Sequence, residues 1–191
     1  MLHKKIIRIL RDCICIIGLL SISPLLLFAA LIITIEDGMP VFFIQERLGK
    51  NKSIFKIIKL RTLKIDTPNT GTHQLDEKHH LICGKIIRKF KLDEFPQLIN
   101  VVKGDINLIG PRPGLISQTN LTEKRHAKGI YEIKPGITGL SQVLGFDMSD
   151  PKKLTEIDKI YIKKKSLYID FLILISTFTT YPKKYLNKII T

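Results

Sequence analysis

The chain has no tryptophan, and its three cysteines are not spaced for a metal site or a disulfide framework. Cys13 and Cys15 lie at the start of an apolar run and Cys83 stands alone, so no zinc site is predicted. Neither a Walker motif nor Gly-x-Gly-x-x-Gly occurs, which excludes the usual glycine-rich phosphate cradles. The few aromatic residues do not alternate with basic ones, so we do not expect nucleic-acid binding.

Acidic residues are also few. The chain has 31 Lys and Arg against 17 Asp and Glu, a formal net charge of +14. Such an excess attracts polyanions, and with nucleic acid disfavoured this leaves anionic lipid head groups and phosphorylated substrates. The length of 191 residues gives room for one compact domain plus a short membrane element.

An uncharged run of 23 residues extends from Cys13 to Ile35. As a continuous helix it would reach about 35 Å, enough to cross a bilayer core of about 30 Å. The basic residues before it fit a signal peptide, but the run is long for one and no convincing cleavage site closes it. A single transmembrane helix is the plain interpretation.

Ser23-Pro24 at the centre of this run favours a third interpretation. Proline lacks an N–H and bends or breaks a helix, and Ser23 can return a hydrogen bond to the freed carbonyl. Basic residues lie on both sides of the run: Lys4, Lys5, Arg8 and Arg11 before it, and Arg47, Lys50, Lys52 and Lys56 after it. Positive charge at both ends favours a re-entrant helix, broken at Ser23-Pro24, whose ends are both cytosolic. A proline-kinked span stays open.

The remaining pattern predicts an α/β fold, with 1–36 as the re-entrant membrane helix and 37–191 as a single compact domain. Two strands forming a hairpin are followed by a polar loop, several helices and a further short strand. These are strands 41–46, 53–63 and 140–144, loop 66–74, and helices 77–90, 117–129 and 151–165. A helix over 167–181 is strongly apolar, and we expect it to be amphipathic and to lie at the bilayer surface.

Asp93 and Glu94 are adjacent carboxylates at a predicted helix start. Asp93 fits an N-cap, with Pro96 in the first turn. Both carboxylates can line one pocket, where one could attack phosphorus and the other hold a divalent metal. On spacing alone the ordinary N-cap is the stronger interpretation.

Several cations are candidates for phosphate binding, although each of them except Arg112, taken singly, fits a solvated surface charge better. Lys59 and Arg61 would share a strand face, and Arg88 lies about one helical turn before Asp93. Arg112 is the best placed, because the prolines on both sides stiffen its backbone and a guanidinium binds phosphate oxygens bidentately.

Taken together, the ordered motifs resemble those of the monotopic phosphoglycosyl transferases, a family of bacterial sugar transferases, over nearly the whole chain. The motifs that carry the resemblance are Ser23-Pro24, Gln45–Gly49, Lys59–Thr62, Leu92–Leu98, Lys103–Asp105, Gly110–Pro113, Lys134–Gly139 and Gln142-Val143, with Asp158, Tyr161 and Asp170. Three positions differ from residues that are common in this family: Leu60, Asn107 and Leu140. The Asp93-Glu94 dyad is intact, so these differences bear on sugar preference.

The resemblance implies transfer of a sugar-1-phosphate from a UDP-sugar to polyprenyl (undecaprenyl) phosphate, with release of UMP. It implies that Asp93 forms a covalent phosphosugar intermediate and that Glu94 helps to hold Mg²⁺. Lys59, Arg61, Arg88 and Arg112 are the expected phosphate contacts, and Gln142 the expected contact on the nucleotide-sugar side.

It also implies a bacterial inner membrane location, with the catalytic domain on the cytoplasmic face. The sugar, the glycan pathway and the oligomeric state cannot be deduced from the sequence. Two alternatives remain: hydrolysis of a nucleotide sugar, and a non-catalytic membrane-anchored basic module that binds anionic lipid or a partner protein.

Overall fold

The computed structural model describes residues 2–67, 76–180 and 182–190. The fold is mixed and mainly helical. Its strands are β1 (Phe42–Leu48), β2 (Ile54–Leu60), β3 (Asn107–Ile109) and β4 (Gly136–Thr138). Its helices are α1 (Leu2–Asp37), α2 (Ile82–Lys89), α3 (Leu98–Lys103), α4 (Thr119–Ala127), α5 (Leu140–Val143), α6 (Pro151–Lys164), α7 (Leu167–Phe178) and α8 (Lys183–Ile190). Most of the predicted 66–74 loop lies outside the described residues.

The long N-terminal helix α1 continues through Pro24 without interruption. The prediction that the helix is broken at Ser23-Pro24 is therefore wrong. The predicted hydrogen bond explains why: the Ser23 hydroxyl donates to the Leu20 carbonyl at 2.8 Å, the acceptor that Pro24 leaves without its usual N–H. Its segment Lys5–Asp37 is long and apolar enough to cross a membrane.

Contacts divide the chain into two compact units. The first comprises Met1–Gln45 and Ile57–Lys103, and the second Glu46–Lys56 and Gly104–Thr191. Strands β1 and β2 pair as a two-stranded sheet, the predicted hairpin. The core of the first unit joins one side of α1 to the open end of this hairpin and to α2. Its buried members are Ala29, Ile33, Val41, Leu60, Leu81, Cys83 and Ile87.

Two adjacent carboxylates fix the end of α1 within the first unit. Glu36 accepts the backbone N–H groups of Ile82 at 2.5 Å and Cys83 at 2.9 Å, and so caps the start of α2. Asp37 accepts from the guanidinium of Arg61. The burial of Cys83 beside a carboxylate raises the pKa of its thiol to about 12, so it stays an inert thiol.

In the second unit, β3 and β4 pair in parallel, with Asn107 opposite Gly136 and Ile109 opposite Thr138. Helices α5, α6, α7 and α8 form its core, whose buried members are Leu140, Val143, Ile157, Tyr161, Ile173 and Leu186. Tyr161 links α6 to α7, because its hydroxyl donates to Asp170 at 2.8 Å. Burial, together with this carboxylate, raises the pKa of Tyr161.

Most other predicted elements are present, with two exceptions. The predicted helix 77–90 is a 3₁₀ turn (Glu77–His79) followed by α2. The strand predicted over 140–144 is wrong: the strand is the preceding Gly136–Thr138, and Leu140–Val143 form helix α5. The exposed side of α7 is itself apolar and carries Leu167, Tyr168, Phe171, Leu174 and Phe178, so its amphipathic character is not confirmed.

Gly84 tests how closely α2 approaches the chain that follows β2. A Cβ at Gly84 would overlap the carbonyl oxygen of Thr62. We expect Gly84→Ala to destabilise the protein by about 2 kcal/mol, because α2 would have to move away from this backbone. Thermal melting of the detergent-solubilised protein measures the change.

The matched control is Gly18→Ala, also inside a helix, where a Cβ would meet only the Leu98 side chain at 3.7 Å. This variant should melt at or above the wild-type temperature, since alanine favours a helix by about 1 kcal/mol over glycine. Equal melting temperatures for the two variants would contradict the close approach of α2.

Candidate active site

The dyad lies in a 3₁₀ turn, Leu92–Gln97, which leads directly into α3. The prediction that Asp93 is an N-cap is wrong, because Asp93 and Glu94 both lie inside the first turn. Lys91 occupies the cap position in the left-handed conformation, with φ 56°, and makes no side-chain capping bond. The left-handed backbone at Lys91 reverses the chain after α2 and begins the 3₁₀ turn. Neither carboxylate is used as a cap, so both are available for other partners.

Asp93 is largely removed from water, with 9% of its surface exposed. Burial raises the pKa of its carboxyl group, and the neighbouring Glu94 raises it too, while Lys59 and Arg88 lower it. The charged carboxylate is therefore costly at this position and depends on the two cations. Perturbation of this kind by burial and named charges is typical of functional sites.

The structure brings two of the predicted cations to the dyad. Lys59, near the end of β2, forms an ion pair with Glu94 at 2.9 Å, and both side chains are mostly buried. Arg88, in the last turn of α2, donates from Nε to the Thr62 hydroxyl at 2.7 Å. Lys59 and Arg88 thus lie close enough to Asp93 to act on its charge.

Arg61 has a different environment. Strand β2 ends at Leu60, so the alternation that would put Lys59 and Arg61 on one face stops between them. Arg61 is 5% exposed, and its guanidinium donates five hydrogen bonds. The acceptors are the Asp37 carboxylate and the carbonyls of Asp37, Gly38, Pro40 and Leu63. A guanidinium has five N–H donors, so the protein itself uses all of them.

In the second unit, the backbone around Arg112 is held at four successive carbonyls. Those of Pro111 and Gly114 accept from the backbone N–H groups of Gly136 and Leu48, at 3.0 and 3.1 Å. The carbonyls of Arg112 and Pro113 accept from the side chains of Arg125 and Arg47, at 2.7 and 3.2 Å. These hydrogen bonds agree with the stiff backbone predicted from the flanking prolines.

Arg47 is predicted only as one of the basic residues that follow the apolar run, with no role at the site. Burial, together with the positive charge of Arg112, lowers the pKa of its guanidinium to about 10. Two guanidinium groups therefore act on each other in the second unit, which favours an anion nearby. The sequence signal that connects Arg47 with the site is its place in the Gln45–Gly49 motif.

Gln142 lies on the short helix α5. Its Nε2 donates to the Ile137 carbonyl at 3.1 Å. Its Oε1 is buried and accepts no hydrogen bond from any part of the chain that the structure describes. A buried acceptor without a donor is costly, so Oε1 is suited to accept an N–H or O–H from a bound ligand.

No group of three or more His, Cys, Asp or Glu side chains that could hold a metal occurs within residues 2–67, 76–180 and 182–190. An all-protein metal cage is therefore excluded for these residues. Mg²⁺ does not need one, because it is commonly bound by one or two carboxylates together with water and substrate phosphates. The hard oxygens of Asp93 and Glu94 fit that type of site.

Comparison with known proteins identifies the family. A model of the family described as bacterial sugar transferase matches residues 3–184. The chain belongs to this family. An uncharacterized sugar transferase, EpsL, from Bacillus subtilis is 37% identical to it over 155 residues, covering 81% of this chain and 76% of the relative.

Two further relatives carry names that state a reaction. The UDP-N-acetylgalactosamine-undecaprenyl-phosphate N-acetylgalactosaminephosphotransferase of Aeromonas hydrophila is 36% identical over 86% of this chain and 41% of its own length. The UDP-glucose:undecaprenyl-phosphate glucose-1-phosphate transferase of Caulobacter vibrioides is 36% identical over 81% of this chain and 61% of its own length. The chain thus spans less than two thirds of either relative.

The burial of Asp93 predicts a gain in stability on removing its charge. Because its pKa is raised on folding, the native state holds the proton more tightly than the unfolded chain. Ionisation therefore costs stability as the pH rises above the ordinary value of 3.8. We expect Asp93→Asn to melt above the wild type at pH 7, with the difference vanishing near pH 4.

Differential scanning calorimetry across this pH range measures the effect. Asp76→Asn is the control, because Asp76 is an exposed aspartate and its loss should leave the melting temperature almost unchanged. A variant Asp93→Asn that melts below the wild type at pH 7 would show that the ionised carboxylate is a net stabiliser.

Proposed function

We propose that the protein transfers a sugar-1-phosphate from a UDP-sugar to polyprenyl phosphate and releases UMP, by way of a covalent intermediate on Asp93. The observation that carries the proposal is a buried carboxylate, Asp93, flanked by Lys59, Arg88 and a second carboxylate. Family membership and the names of the two relatives support the substrate classes. The product would begin a bacterial glycoconjugate.

In the first step, an Asp93 oxygen attacks the β-phosphorus of the UDP-sugar. The bond from this phosphorus to the oxygen that bridges the two phosphates breaks, and UMP leaves with the electron pair. Asp93 then carries the sugar phosphate as an acyl phosphate. Burial removes water that would compete for the phosphorus, and Lys59 and Arg88 keep the carboxylate ionised for attack.

In the second step, a phosphate oxygen of polyprenyl phosphate attacks the same phosphorus. The acyl phosphate bond breaks, the carboxylate of Asp93 is regenerated, and the sugar leaves on a polyprenyl diphosphate. The ion pair with Lys59 holds Glu94 beside the nucleophile throughout. Both half-reactions then use one carboxylate, which is the basis of a ping-pong scheme.

Mg²⁺ is the proposed cofactor, and Glu94 the residue that would hold it. When bound, it would neutralise charge on the phosphate oxygens of the substrate. In the second unit, we propose that Arg112 binds phosphate and that Gln142 contacts the nucleotide sugar. Arg61 differs from the other proposed phosphate contacts, because all five of its N–H groups donate within the protein.

Membrane attachment would bring the lipid acceptor to the dyad. The apolar segment of α1 and the exposed apolar side chains of α7 support an association with lipid. We propose that α1 is re-entrant, and that the rest of the chain forms the catalytic domain on the cytoplasmic face of the inner membrane.

Asp93→Asn is the decisive test of the reaction. We expect it to lower UMP release from a UDP-sugar by roughly a thousandfold or more, because the amide cannot form the acyl phosphate. The assay combines a panel of UDP-sugars with undecaprenyl phosphate and Mg²⁺, and Asp76→Asn serves as the control with full activity. Undiminished turnover by Asp93→Asn would remove Asp93 as the nucleophile.

Two other outcomes would favour the alternatives. UMP release that needs no polyprenyl phosphate, and continues over many turnovers, would indicate hydrolysis of the nucleotide sugar. No binding of any UDP-sugar, with or without Mg²⁺, would favour a non-catalytic basic module.

The topology of α1 gives a separate prediction. In a variant whose three cysteines are replaced by serine, we introduce Lys5→Cys at one end of α1 and, separately, Lys50→Cys after it. A re-entrant helix keeps both positions on the cytoplasmic side, so a membrane-impermeant maleimide should label both in inverted vesicles and neither in spheroplasts. If position 5 is labelled in spheroplasts and not in inverted vesicles, while position 50 is labelled in inverted vesicles, the helix crosses the bilayer.

A further inference from the structure

The second unit contains a buried ion pair that no step of the proposed reaction uses. Arg125 on α4 and Asp158 on α6 are 2% and 1% exposed, and their Nη2 and Oδ2 atoms are 2.6 Å apart. Removing two charges from water is costly, and such a pair often contributes no more stability than apolar side chains of similar size would. Its contacts therefore indicate what else it does.

The first of these contacts reaches the loop that carries Arg112. While Nη2 of Arg125 bonds to Asp158, its Nη1 donates to the carbonyl oxygen of Arg112 at 2.7 Å. A guanidinium can hold a carboxylate and a carbonyl at the same time, because its donors are arranged in a rigid planar fork. Asp158 thereby fixes the orientation of the group that holds the Arg112 backbone.

The other oxygen of the pair reaches the helix that carries Gln142. Ser141 is fully buried, and its hydroxyl donates to Oδ1 of Asp158 at 3.1 Å. Ser141 directly precedes Gln142 on α5, so anchoring Ser141 also fixes the backbone from which Gln142 extends. The burial of Asp158 raises the pKa of its carboxyl group, and Arg125 and Ser141 lower it.

These two anchored segments meet. A Cβ placed on Gly139 would overlap the carbonyl oxygen of Gly110 and lie 3.5 Å from Oε1 of Gln142. The buried acceptor of Gln142 therefore lies beside the residue that begins the Gly110–Pro113 motif. Only a glycine at position 139 permits this approach, since any side chain would push the two segments apart.

We propose that Arg125 and Asp158 are positioning residues that hold Arg112 and Gln142 in one fixed arrangement for a nucleoside diphosphate. Arg112 would present its guanidinium to phosphate oxygens, and Gln142 would offer its Oε1 to an N–H or O–H of the same ligand. The inference rests on the proposed function and extends it to residues that do not touch the substrate.

The test compares Asp158→Asn and Arg125→Lys with the wild type, as full-length protein in detergent. Lysine keeps a positive charge opposite Asp158 but cannot span both acceptors as the guanidinium does. We expect each variant to weaken the binding of UDP, and to raise the KM for the UDP-sugar, by about tenfold, with kcat changed far less. The KM for undecaprenyl phosphate should not move.

Leu186→Ala is the control for a merely structural effect. Leu186 is a buried core residue of the same unit, and its truncation should lower the melting temperature at least as much. Leu186 packs in the same core as α5 but makes none of the hydrogen bonds described above. UDP binding at a temperature well below melting should therefore equal that of the wild type. Should Asp158→Asn fail to fold, Arg125→Lys decides the question.

Wild-type affinity for UDP in Arg125→Lys, or an equal loss of affinity in Leu186→Ala, would overturn the positioning role while leaving the proposed function intact. A wild-type protein that neither binds UDP nor releases UMP would overturn both together. A rise in KM confined to the UDP-sugar would support the inference.

Discussion

The cost of keeping the Asp93 carboxylate away from water governs the first unit. A buried anion needs cations at fixed positions, and Lys59 and Arg88 supply them. Each is held by its own framework: Lys59 by the end of β2 and its ion pair with Glu94, and Arg88 by α2 and the Thr62 hydroxyl. The elements of this unit can therefore be understood as supports for one charge.

The second unit has a comparable arrangement in which the charges are reversed: a buried cation is held by a carboxylate. There the buried cation Arg125 is held by the carboxylate of Asp158, and the pair is tied to two backbone segments instead of to a second carboxylate. The four bound carbonyls from Pro111 to Gly114 leave that loop little freedom. A buried ion pair often adds no more to the free energy of unfolding than apolar side chains of similar size would. In both units, the pair instead holds the groups around it in a fixed geometry.

Sequence reasoning succeeded where the signal was local, and it failed where distant residues decide. The hairpin, α6 and α7 follow from periodicity and caps, and the stiff Arg112 loop follows from its prolines. The role of Arg61 could not be deduced, because β2 ends one residue earlier and Asp37 lies 24 positions away. Nor could α5 be distinguished from a strand, because the apolar pattern Leu140–Leu144 is too short to show a period. Arg125 gave no signal at all, since an arginine in a chain this basic is expected to be at the surface.

The connection from the apolar helix to the dyad is short, which bears on how a lipid phosphate could reach Asp93. The apolar segment of α1 ends at Glu36 and Asp37, and these carboxylates cannot lie in hydrocarbon without their partners. Glu36 caps the first turn of α2, and Arg88 lies in the last turn of the same helix, about 9 Å further along its axis. Asp93 is within reach of the charge of Arg88. If the charged end of α1 marks the boundary of the bilayer, Asp93 lies within about one short helix of it. The proposed acceptor, polyprenyl phosphate, would carry its head group at that boundary.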